Sequence, residues 1–317
     1  MLSAQGAPVQ AGAGVPIPVF PKNLSRCSLI RGWSLFFNSL MVSLRLTRIW
    51  KPAVQQTAAV TDRWKIRSLR SIFALMLREI ATTYGRSAGG YVWAIVEPIA
   101  GIALLTFIFS LAFHNPPLGN NFAIFYATGI LPFTIYVQIY SKLMVSIWFS
   151  KQLLQYPAVS FADAIISRFA LAMITQIIVF FVVLYGIVII YDPQIAIHLP
   201  LVMLALAMTA VLGLGLGVLN CLLISAFPIW QRIWNVFHRP MFIISGIFFL
   251  LESVPEPYRS ILWYNPLVHI IGILRKGVFP TYDAPYASPA YVFAFGLISL
   301  VIGLFFLRRW HKQFLYQ

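Results

Sequence analysis

The chain has 317 residues, of which 60% are hydrophobic and 10% charged, and its mean hydropathy is +0.83. Soluble domains carry about 25% charged residues, so this composition excludes an ordinary soluble protein and indicates a membrane protein that crosses the bilayer several times. The net charge of +15 would also suit nucleic acid, but no basic stripe alternates with base-stacking aromatic residues, and we expect no nucleic-acid partner.

Residues 1–62 are predicted to be an N-terminal extension that is poorly ordered or lies at the membrane interface. Residues 1–21 are rich in Ala, Gly and Pro and lack the basic start of a secretory signal. The apolar stretch Gly32–Leu44 has 13 residues, which is too few to cross a bilayer. Two interpretations stay open for it: an interfacial helix, or sequence upstream of a true start at Met41.

An amphipathic helix is predicted next, over residues 64–84. Apolar side chains recur along it at spacings of three or four, and Arg67, Arg70 and Arg78 fall on the opposite face. This pattern predicts a helix that lies in the membrane interface with its basic face toward anionic headgroups. Two roles are open for it: a plain surface anchor, or a lever that touches a cytoplasmic partner.

Six segments are long and apolar enough to cross a bilayer, which takes about 20 residues each. They cover approximately residues 93–113, 122–145, 165–190, 199–227, 233–251 and 290–307. Backbone groups in lipid must be hydrogen-bonded within their own segment, so each segment is predicted to be a helix.

Glycine and proline positions refine this picture. Gly213 and Gly217 lie four residues apart in the fourth segment, a spacing that favours close packing of one membrane helix on another. Pro98 is tolerated in the first turn of a helix, so the first span is predicted to start afresh near Val96.

Most basic residues fall on one side of this predicted membrane domain. Of the 23 Lys and Arg residues, 20 lie in the N-terminal region, the second and fourth connections and the C-terminus. Basic residues collect on the cytoplasmic side, so both termini are predicted to be cytoplasmic. The three exceptions, Arg259, Arg275 and Lys276, lie in the fifth connection, which is predicted to be on the outer side.

The fifth connection, residues 252–289, has 38 residues and contains six prolines. Its two short apolar stretches, near Tyr258–Tyr264 and Leu267–Val278, are too short to span the membrane. They are predicted to be helices of an extracytoplasmic cap or re-entrant helices that protein shields from lipid. The predicted fold over residues 63–317 is therefore an all-α membrane domain with an interface helix, six transmembrane helices, and short helices between spans five and six.

Several kinds of catalytic site are absent from the sequence. It contains no GxxxxGK[ST] phosphate-binding loop, no HExxH motif and no GxSxG motif. The five histidines have no carboxylate or cysteine at ligand spacing, and the eight carboxylates form no close pair within a span. We therefore expect no enzymatic activity, no metal and no cofactor on this chain.

Four stretches carry a resemblance to a known family. They read REIATTYGRSAGGYVWAIVEP (residues 78–98), KQLLQYPAVSFADAIISR (151–168), ISGIFF (244–249) and VPEPYRSILWYNPL (254–267). Together with the topology and loop lengths over residues 64–317, they resemble the permease subunit of ABC-type (type 2) polysaccharide exporters, the family that exports capsular polysaccharide, O-antigen and polyol-phosphate polymers. The Glu-Pro pair at the start of the first span is more similar to the capsule branch.

The resemblance implies a homodimer in the bacterial inner membrane, in contact with membrane lipids. It implies two copies of a separate ATPase, which binds ATP and Mg²⁺, and a lipid-linked polysaccharide that moves outward between the two permease copies. Periplasmic or outer-membrane export components are further implied partners.

The same resemblance implies that the loop at residues 151–163 docks in a groove of the ATPase, although an ordinary connecting turn is the alternative. The residues predicted to couple to the ATPase are Tyr84, Gly85, Arg86, Gln155, Tyr156, Pro157, Asp163 and Arg168. Within this set, Asp163 and Arg168 are candidates for an ion pair, although a spacing of five is poor for one helix face.

A second set of residues is predicted to lie on the substrate path: Glu97, Arg239, Tyr258, Trp263, Tyr264, Arg275 and Lys276. A carboxylate in a span is costly, so Glu97 should face protein or water, with Arg239 as a candidate partner; a position at the membrane interface is the alternative. The aromatic residues suit the apolar faces of sugar rings, or else form an interfacial aromatic belt. Arg275 and Lys276 would attract an anionic polymer.

Three other functions compete with polysaccharide export. An ABC permease for a lipid or a drug would not need the aromatic cap. A secondary transporter would need ionisable residues at the centres of several spans, and these centres are nearly free of them. A membrane enzyme such as a glycosyltransferase would need a carboxylate cluster or metal ligands at a membrane face, and the sequence shows neither.

Overall fold

A computed structural model describes residues 60–83, 90–154, 160–191 and 197–316, and every element within these ranges is a helix, in agreement with the all-α prediction. In chain order these are α1 (Val60–Thr83), α2 (Gly90–Ala112), α3 (Phe122–Met144), α4 (Ser146–Leu154), α5 (Phe161–Tyr191), α6 (Leu199–Ala226), α7 (Trp230–Ile244), a 3₁₀ turn (Leu251–Ser253), α8 (Tyr258–Trp263), α9 (Pro266–Val278) and α10 (Pro289–Tyr316). Nearly all of the predicted N-terminal extension, residues 1–59, lies outside the described residues.

Five of these helices, α2, α3, α5, α6 and α10, are long and apolar enough to cross a bilayer. The predicted fifth span, residues 233–251, is not one continuous helix. Its helix α7 has 15 residues, or about 23 Å at 1.5 Å per residue, which is shorter than the roughly 30 Å hydrocarbon core. The break follows because Gly246 has a φ of +86°, in the left-handed region that cannot continue a right-handed helix.

The first span also differs from its prediction. Helix α2 begins at Gly90 and runs without interruption through Pro98, so the helix does not start afresh near Val96. Proline has no N–H to donate to the carbonyl of Ala94, which leaves that carbonyl without its usual helical partner.

Contacts between helix ends define two ends of the bundle. At one end, the start of α3 meets the end of α5, where Asn121 Nδ2 donates to the Tyr191 carbonyl over 3.4 Å. The start of α6 and the end of α9 also meet there. At the opposite end, the start of α7 meets the end of α6, where the Trp230 indole donates to Asn220 Oδ1 over 2.8 Å. We call the first the outer end and the second the inner end, following the sidedness predicted from the basic residues.

Helices α3 and α6 form the centre of the bundle and pack on each other. Gly213 and Gly217 of α6 allow this approach: a Cβ atom at these positions would lie 3.0 Å from Ile139 and 2.7 Å from Leu143 of α3. The close packing predicted from the glycine spacing is therefore confirmed.

A third glycine of α6 packs on a different helix. A Cβ atom at Gly215 would lie 2.0 Å from the carbonyl oxygen of Gly296 in α10, so at this point the two backbones are in direct contact. Because the obstacle is backbone rather than a flexible side chain, no substituted residue fits there without moving a helix.

Helix α1 packs against α5 instead of standing apart from the bundle. Leu75 and Glu79 of α1 are 7% and 5% exposed, whereas Leu69 and Phe73 are 66% and 62% exposed. The predicted helix is present, and it has a face buried on protein as well as an open apolar face. This buried face goes beyond what a plain surface anchor requires.

Candidate functional site

A buried ion pair joins α1 to α5 at the inner end. Arg168 Nε lies 3.2 Å from the Glu79 carboxylate, and the two side chains are 6% and 7% exposed. The Arg168 guanidinium also donates to the Lys142 carbonyl at the end of α3 over 2.8 Å and lies 4.1 Å from the centre of the Phe149 ring in α4. We call these four residues the Arg168 cluster, and through it one side chain connects four helices.

The cluster suits arginine for physical reasons. A buried ion pair stabilises only when further hydrogen bonds and packing offset the loss of hydration of both charges. The planar guanidinium offers five N–H donors, so Arg168 can bind a carboxylate and a carbonyl while its face rests on an aromatic ring. The result is a directional contact that fixes α1 in one position on the bundle.

A second polar contact joins the same two helices. Asp163 accepts a hydrogen bond from the Ser68 hydroxyl of α1 and one from the Ser160 N–H at 3.1 Å. The Ser160 hydroxyl in turn accepts from the Ala162 N–H at 3.3 Å, so Ser160 is the N-cap of α5. Asp163 and Arg168 each bind α1 and not each other, which corrects the ion pair considered from the sequence.

The predicted coupling residues fall into two groups. Asp163 and Arg168 are 7% and 5% exposed, so any effect they have on coupling acts through the helices they hold. The remaining predicted coupling residues lie outside the described residues: Tyr84, Gly85, Arg86, Gln155, Tyr156 and Pro157. The first three follow α1 and the last three follow α4, and the Arg168 cluster holds both of these helices.

At the outer end, Arg275 of α9 is buried, with 1% of its surface exposed. Its Nη1 donates to the Phe249 carbonyl over 2.9 Å and its Nη2 to the Ile247 carbonyl over 3.0 Å. Burial lowers the pKa of Arg275 to about 10, which leaves the guanidinium protonated at neutral pH. We expected this residue to attract a polymer from the surface, but its charge is used inside the protein.

The neighbouring Lys276 does lie at the surface. It forms an ion pair with Asp283, and the two side chains are 40% and 75% exposed. The ammonium group lowers the pKa of the Asp283 carboxyl through a hydrogen bond and its charge. An anionic polymer at this position would therefore compete with a carboxylate that is already present.

We call residues 252–289 the cap. Of its predicted aromatic residues, one is packed inside it and two are exposed. The Trp263 indole donates to the Tyr286 carbonyl over 3.2 Å and packs on Tyr291, with ring centres 5.3 Å apart, so Trp263 belongs to the packing of the cap. Tyr258 and Tyr264 are 63% and 69% exposed and are free to contact another molecule.

Glu97 lines an open cleft of about 350 Å³ between α2, α3 and α7. Thr134 and Gln138 of α3 add polar groups to a lining that is otherwise mostly apolar. The candidate pairing with Arg239 is absent from the described part of the chain, where the ion pairs are Glu79–Arg168 and Lys276–Asp283. Phe242, one turn after Arg239, is the residue of α7 that lines the cleft.

Residues 70–279 match the family model described as ABC-2 type transporter. The match covers more than half of the chain and includes both the Arg168 cluster and Arg275. The chain belongs to the ABC-2 type transporter family. It is accordingly a membrane subunit of a transporter and not an enzyme, as the sequence resemblance implied.

Individual relatives agree with this family. The ABC-2 subunit is 32% identical over 235 residues to the polysialic acid transport protein KpsM of Escherichia coli, covering 74% of this chain and 91% of that protein. It is 28% identical over 247 residues to the capsule polysaccharide export inner-membrane protein CtrC of Neisseria meningitidis, covering 77% and 92%. With the O-antigen export system permease protein RfbA of Klebsiella pneumoniae it shares 20% identity over 232 residues, covering 72% and 86%.

Three polar residues of this ABC-2 subunit were not predicted from the sequence: Glu79, Asn265 and His269. Glu79 carries a detectable signal, because it is the one acidic residue in the otherwise basic helix predicted over 64–84. Asn265 is the N-cap of α9, where its side chain accepts from the Leu267 N–H over 3.1 Å, and the following Pro266 fits the first helical position.

His269 is fully buried in the cap, at 0% exposure. Its Nδ1 accepts from the Ser288 N–H over 3.2 Å, so the ring proton belongs on Nε2, which lies 2.8 Å from the Trp263 carbonyl. Burial lowers the pKa of His269, and both hydrogen bonds fit the neutral ring. Protonation of Nδ1 would break the contact with Ser288.

This buried histidine predicts a pH dependence of stability. The unfolded chain takes up a proton near the ordinary histidine pKa of about 6.5, whereas the folded chain takes it up only at lower pH. The free energy of unfolding should therefore decrease as pH falls below about 6.5, because the proton binds the unfolded chain more readily than the buried His269. Thermal unfolding of the solubilised protein between about pH 8 and pH 5 measures this, and H269Q should flatten the slope. H114Q, at an exposed histidine, is the control, and an unchanged slope in H269Q would contradict the assignment.

Proposed function

We propose that this chain is the inner-membrane permease subunit of an exporter that moves lipid-linked capsular polysaccharide outward, driven by ATP hydrolysis on a separate ATPase subunit. The observation that carries the proposal is the similarity to relatives named for polysialic acid transport and capsule polysaccharide export, which extends over 91% and 92% of their lengths. Capsule is favoured over O-antigen because identity to the O-antigen permease falls to 20%.

Two copies of the chain would form the channel. In a single chain α2 and α7 expose large apolar side chains, among them Phe107 at 64%, Leu111 at 75% and Phe237 at 67%. Lipid covers part of this surface, and a second copy can cover the rest. The cleft with Glu97 lies between the same two helices, and a carboxylate at membrane depth favours a water-filled path.

A sixth crossing completes the proposed topology with both termini in the cytoplasm. Helix α7 starts at the inner end, where Trp230 binds Asn220. Beyond its last turn, Ile247 lies against Gly129 in the outer half of α3, with its Cα 3.1 Å from the position of a Cβ on that glycine. Residues 230–250 thus cross as a short helix followed by an irregular segment that protein shields from lipid, an arrangement that membranes tolerate.

The Arg168 cluster would carry force from the ATPase into the membrane. The cluster connects α1, α3, α4 and α5, so displacement of α1 or of the loop after α4 moves α5 with it.

The exposed Tyr258 and Tyr264 would contact sugar rings at the outer end, where flat apolar faces give weak contact to many different sugars. Lys276 remains a proposed contact for anionic groups of the polymer, and Arg239 remains a proposed residue of the substrate path.

Deletion of this chain from its host tests the proposal. Polysaccharide should disappear from the cell surface while lipid-linked polymer accumulates in the cytoplasm, and a plasmid copy should restore export. A catalytically inactive ATPase partner is the matched control and should give the same accumulation. If surface polysaccharide is unchanged and a lipid or drug is retained instead, the runner-up function, export of a lipid or drug by the same fold, would replace this one.

A further inference from the structure

The outer end of α7 breaks within the segment that is predicted from the sequence to cross the membrane as one helix. As a single helix, residues 230–251 would extend about 33 Å at 1.5 Å per residue. The helix nevertheless ends at Ile244, and Gly246 turns the chain with a φ of +86°. A helix that ends within an apolar environment leaves carbonyl groups that must find other hydrogen-bond donors.

The N-cap residue of α9 and one residue of its last turn supply these donors. Asn265 Nδ2 donates to the Ile244 carbonyl over 3.1 Å. Arg275 donates to the carbonyls of Phe249 and Ile247 over 2.9 and 3.0 Å. Asn265 and Arg275 are 8% and 1% exposed, so these are interior contacts and not surface ones. One helix of the cap therefore binds three of the carbonyl groups at the break.

The surroundings of Arg275 indicate that its positive charge is directed at the carbonyl groups of Ile247 and Phe249 and not at a carboxylate. No carboxylate forms an ion pair with it in the described part of the chain, and its Nε has no hydrogen-bond partner there. Its guanidinium lies 4.2 Å from the centre of the Phe125 ring in α3. A buried cation without a carboxylate is costly, so carbonyl dipoles and an aromatic face must offset its lost hydration.

We propose that Asn265 and Arg275 are positioning residues that hold residues 245–250 in the broken conformation and fix Ile247 against Gly129 of α3. The cap and the outer end of α7 then move as one body. In the exporter this sets the width of the outer end of the path; that consequence rests on the proposed function, whereas the position of Ile247 does not.

The chemistry of the two contacts gives selective variants. Arg275→Lys keeps the charge but replaces a planar fork, which reaches two carbonyls, with a single ammonium group. Asn265→Asp keeps the oxygen that accepts from the Leu267 N–H, and so keeps the N-cap of α9, but it removes the donor to Ile244. Each variant therefore weakens the hold on the break with little direct effect on α9 itself.

A disulfide reports the position of Ile247 directly. A Cβ at Gly129 would lie 3.3 Å from the Ile247 Cβ, a few tenths of an ångström closer than the roughly 3.5–4.5 Å found in disulfides, so a slight outward shift of residues 245–250 brings two cysteines into disulfide geometry. In the full-length protein with C27S and C221A, the G129C/I247C pair should therefore crosslink in membranes under mild oxidation. Adding R275K or N265D should slow this crosslinking at least about threefold, because each removes hydrogen bonds at the break. R232K, at an exposed arginine of α7, should leave the rate unchanged.

The outcomes separate the two parts of the proposal. Slower crosslinking with R275K and N265D at normal membrane amounts supports the positioning role, and a parallel fall in export supports its consequence for transport. Equal crosslinking rates in both variants overturn the proposal. If R275K fails to accumulate in the membrane, the crosslinking rate of N265D alone tests the proposal, because this variant keeps the N-cap hydrogen bond of α9. The crosslinking result needs no cargo, so it stands or falls separately from the identity of the polymer.

Discussion

Replacing Arg168 with alanine should abolish export and lower the free energy of unfolding by about 3–5 kcal/mol, because it leaves the Glu79 carboxylate buried without a partner. The Lys142 carbonyl would lose its donor, and α1 would lose its directional contact with α5. Export by cells that carry the variant, together with thermal unfolding of the solubilised protein, measures both effects.

A double-mutant cycle shows whether the loss comes from the pair itself. Glu79→Ala and Arg168→Ala should each be strongly destabilising, and the double variant should lose clearly less than the two single losses added together. Arg70→Ala, at an exposed arginine of α1, is the matched control for loss of positive charge and should export normally. Normal export by R168A at wild-type amounts would show that the cluster has no part in coupling.

Replacing Gly215 with alanine or valine should prevent most of the protein from reaching its folded state. The added Cβ would lie 2.0 Å from the Gly296 carbonyl oxygen, and the obstacle is backbone of another transmembrane helix. We expect a cost above about 4 kcal/mol, in the range reached only by severe structural conflicts. The amount of monodisperse protein after mild solubilisation is the measurement.

Gly186→Ala is the control for this substitution. It lies in α5, and nothing is within 4 Å of its Cβ position, so the same change of residue meets no obstacle. Alanine is the better helix former by up to about 1 kcal/mol, so G186A should fold at least as well as the wild type. Equal yields of G215A and G186A would mean that α6 and α10 do not pack as described.

The transmembrane helices could be predicted from the sequence because length and apolarity alone decide which segments cross a bilayer. The break at Gly246 could not be predicted in this way. Apolar residues continue on both sides of it, and its stability depends on Asn265 and Arg275, which lie far along the chain. Hydropathy measures the solvent that a segment prefers, and it carries no information on which distant side chain binds a released carbonyl.

The three basic residues that depart from the positive-inside pattern also have a structural explanation. Arg275 is buried against the break, and Lys276 pairs with Asp283. Arg259 donates to the carbonyls of Val254 and Glu252 over 3.1 and 2.6 Å. Each charge therefore contacts a group of the protein itself, either within residues 252–289 or at the break after α7, a fact that counting charges along the sequence cannot reveal.

The candidate site was also predictable only in part from the sequence. The positions of Asp163 and Arg168 near the start of one helix suggested a pairing between them, which the structure replaces with contacts to Ser68 and Glu79. Their part in coupling to the ATPase stays a prediction. Residue spacing within one helix predicts only local partners. Contacts between α1 and α5 depend on how the two helices cross, which neither segment encodes alone.

ATP-driven movement of glycolipid in reconstituted vesicles tests the central claim most directly. Purified chain would be incorporated with and without its ATPase partner, lipid-linked polysaccharide would be loaded on the ATP-facing side, and an impermeant glycan-cleaving enzyme would report polymer on the opposite side. We predict that polymer becomes accessible only when the ATPase and hydrolysable ATP are both present. Movement of polymer by this chain alone, or none with the complete ATP-hydrolysing complex, would contradict the account.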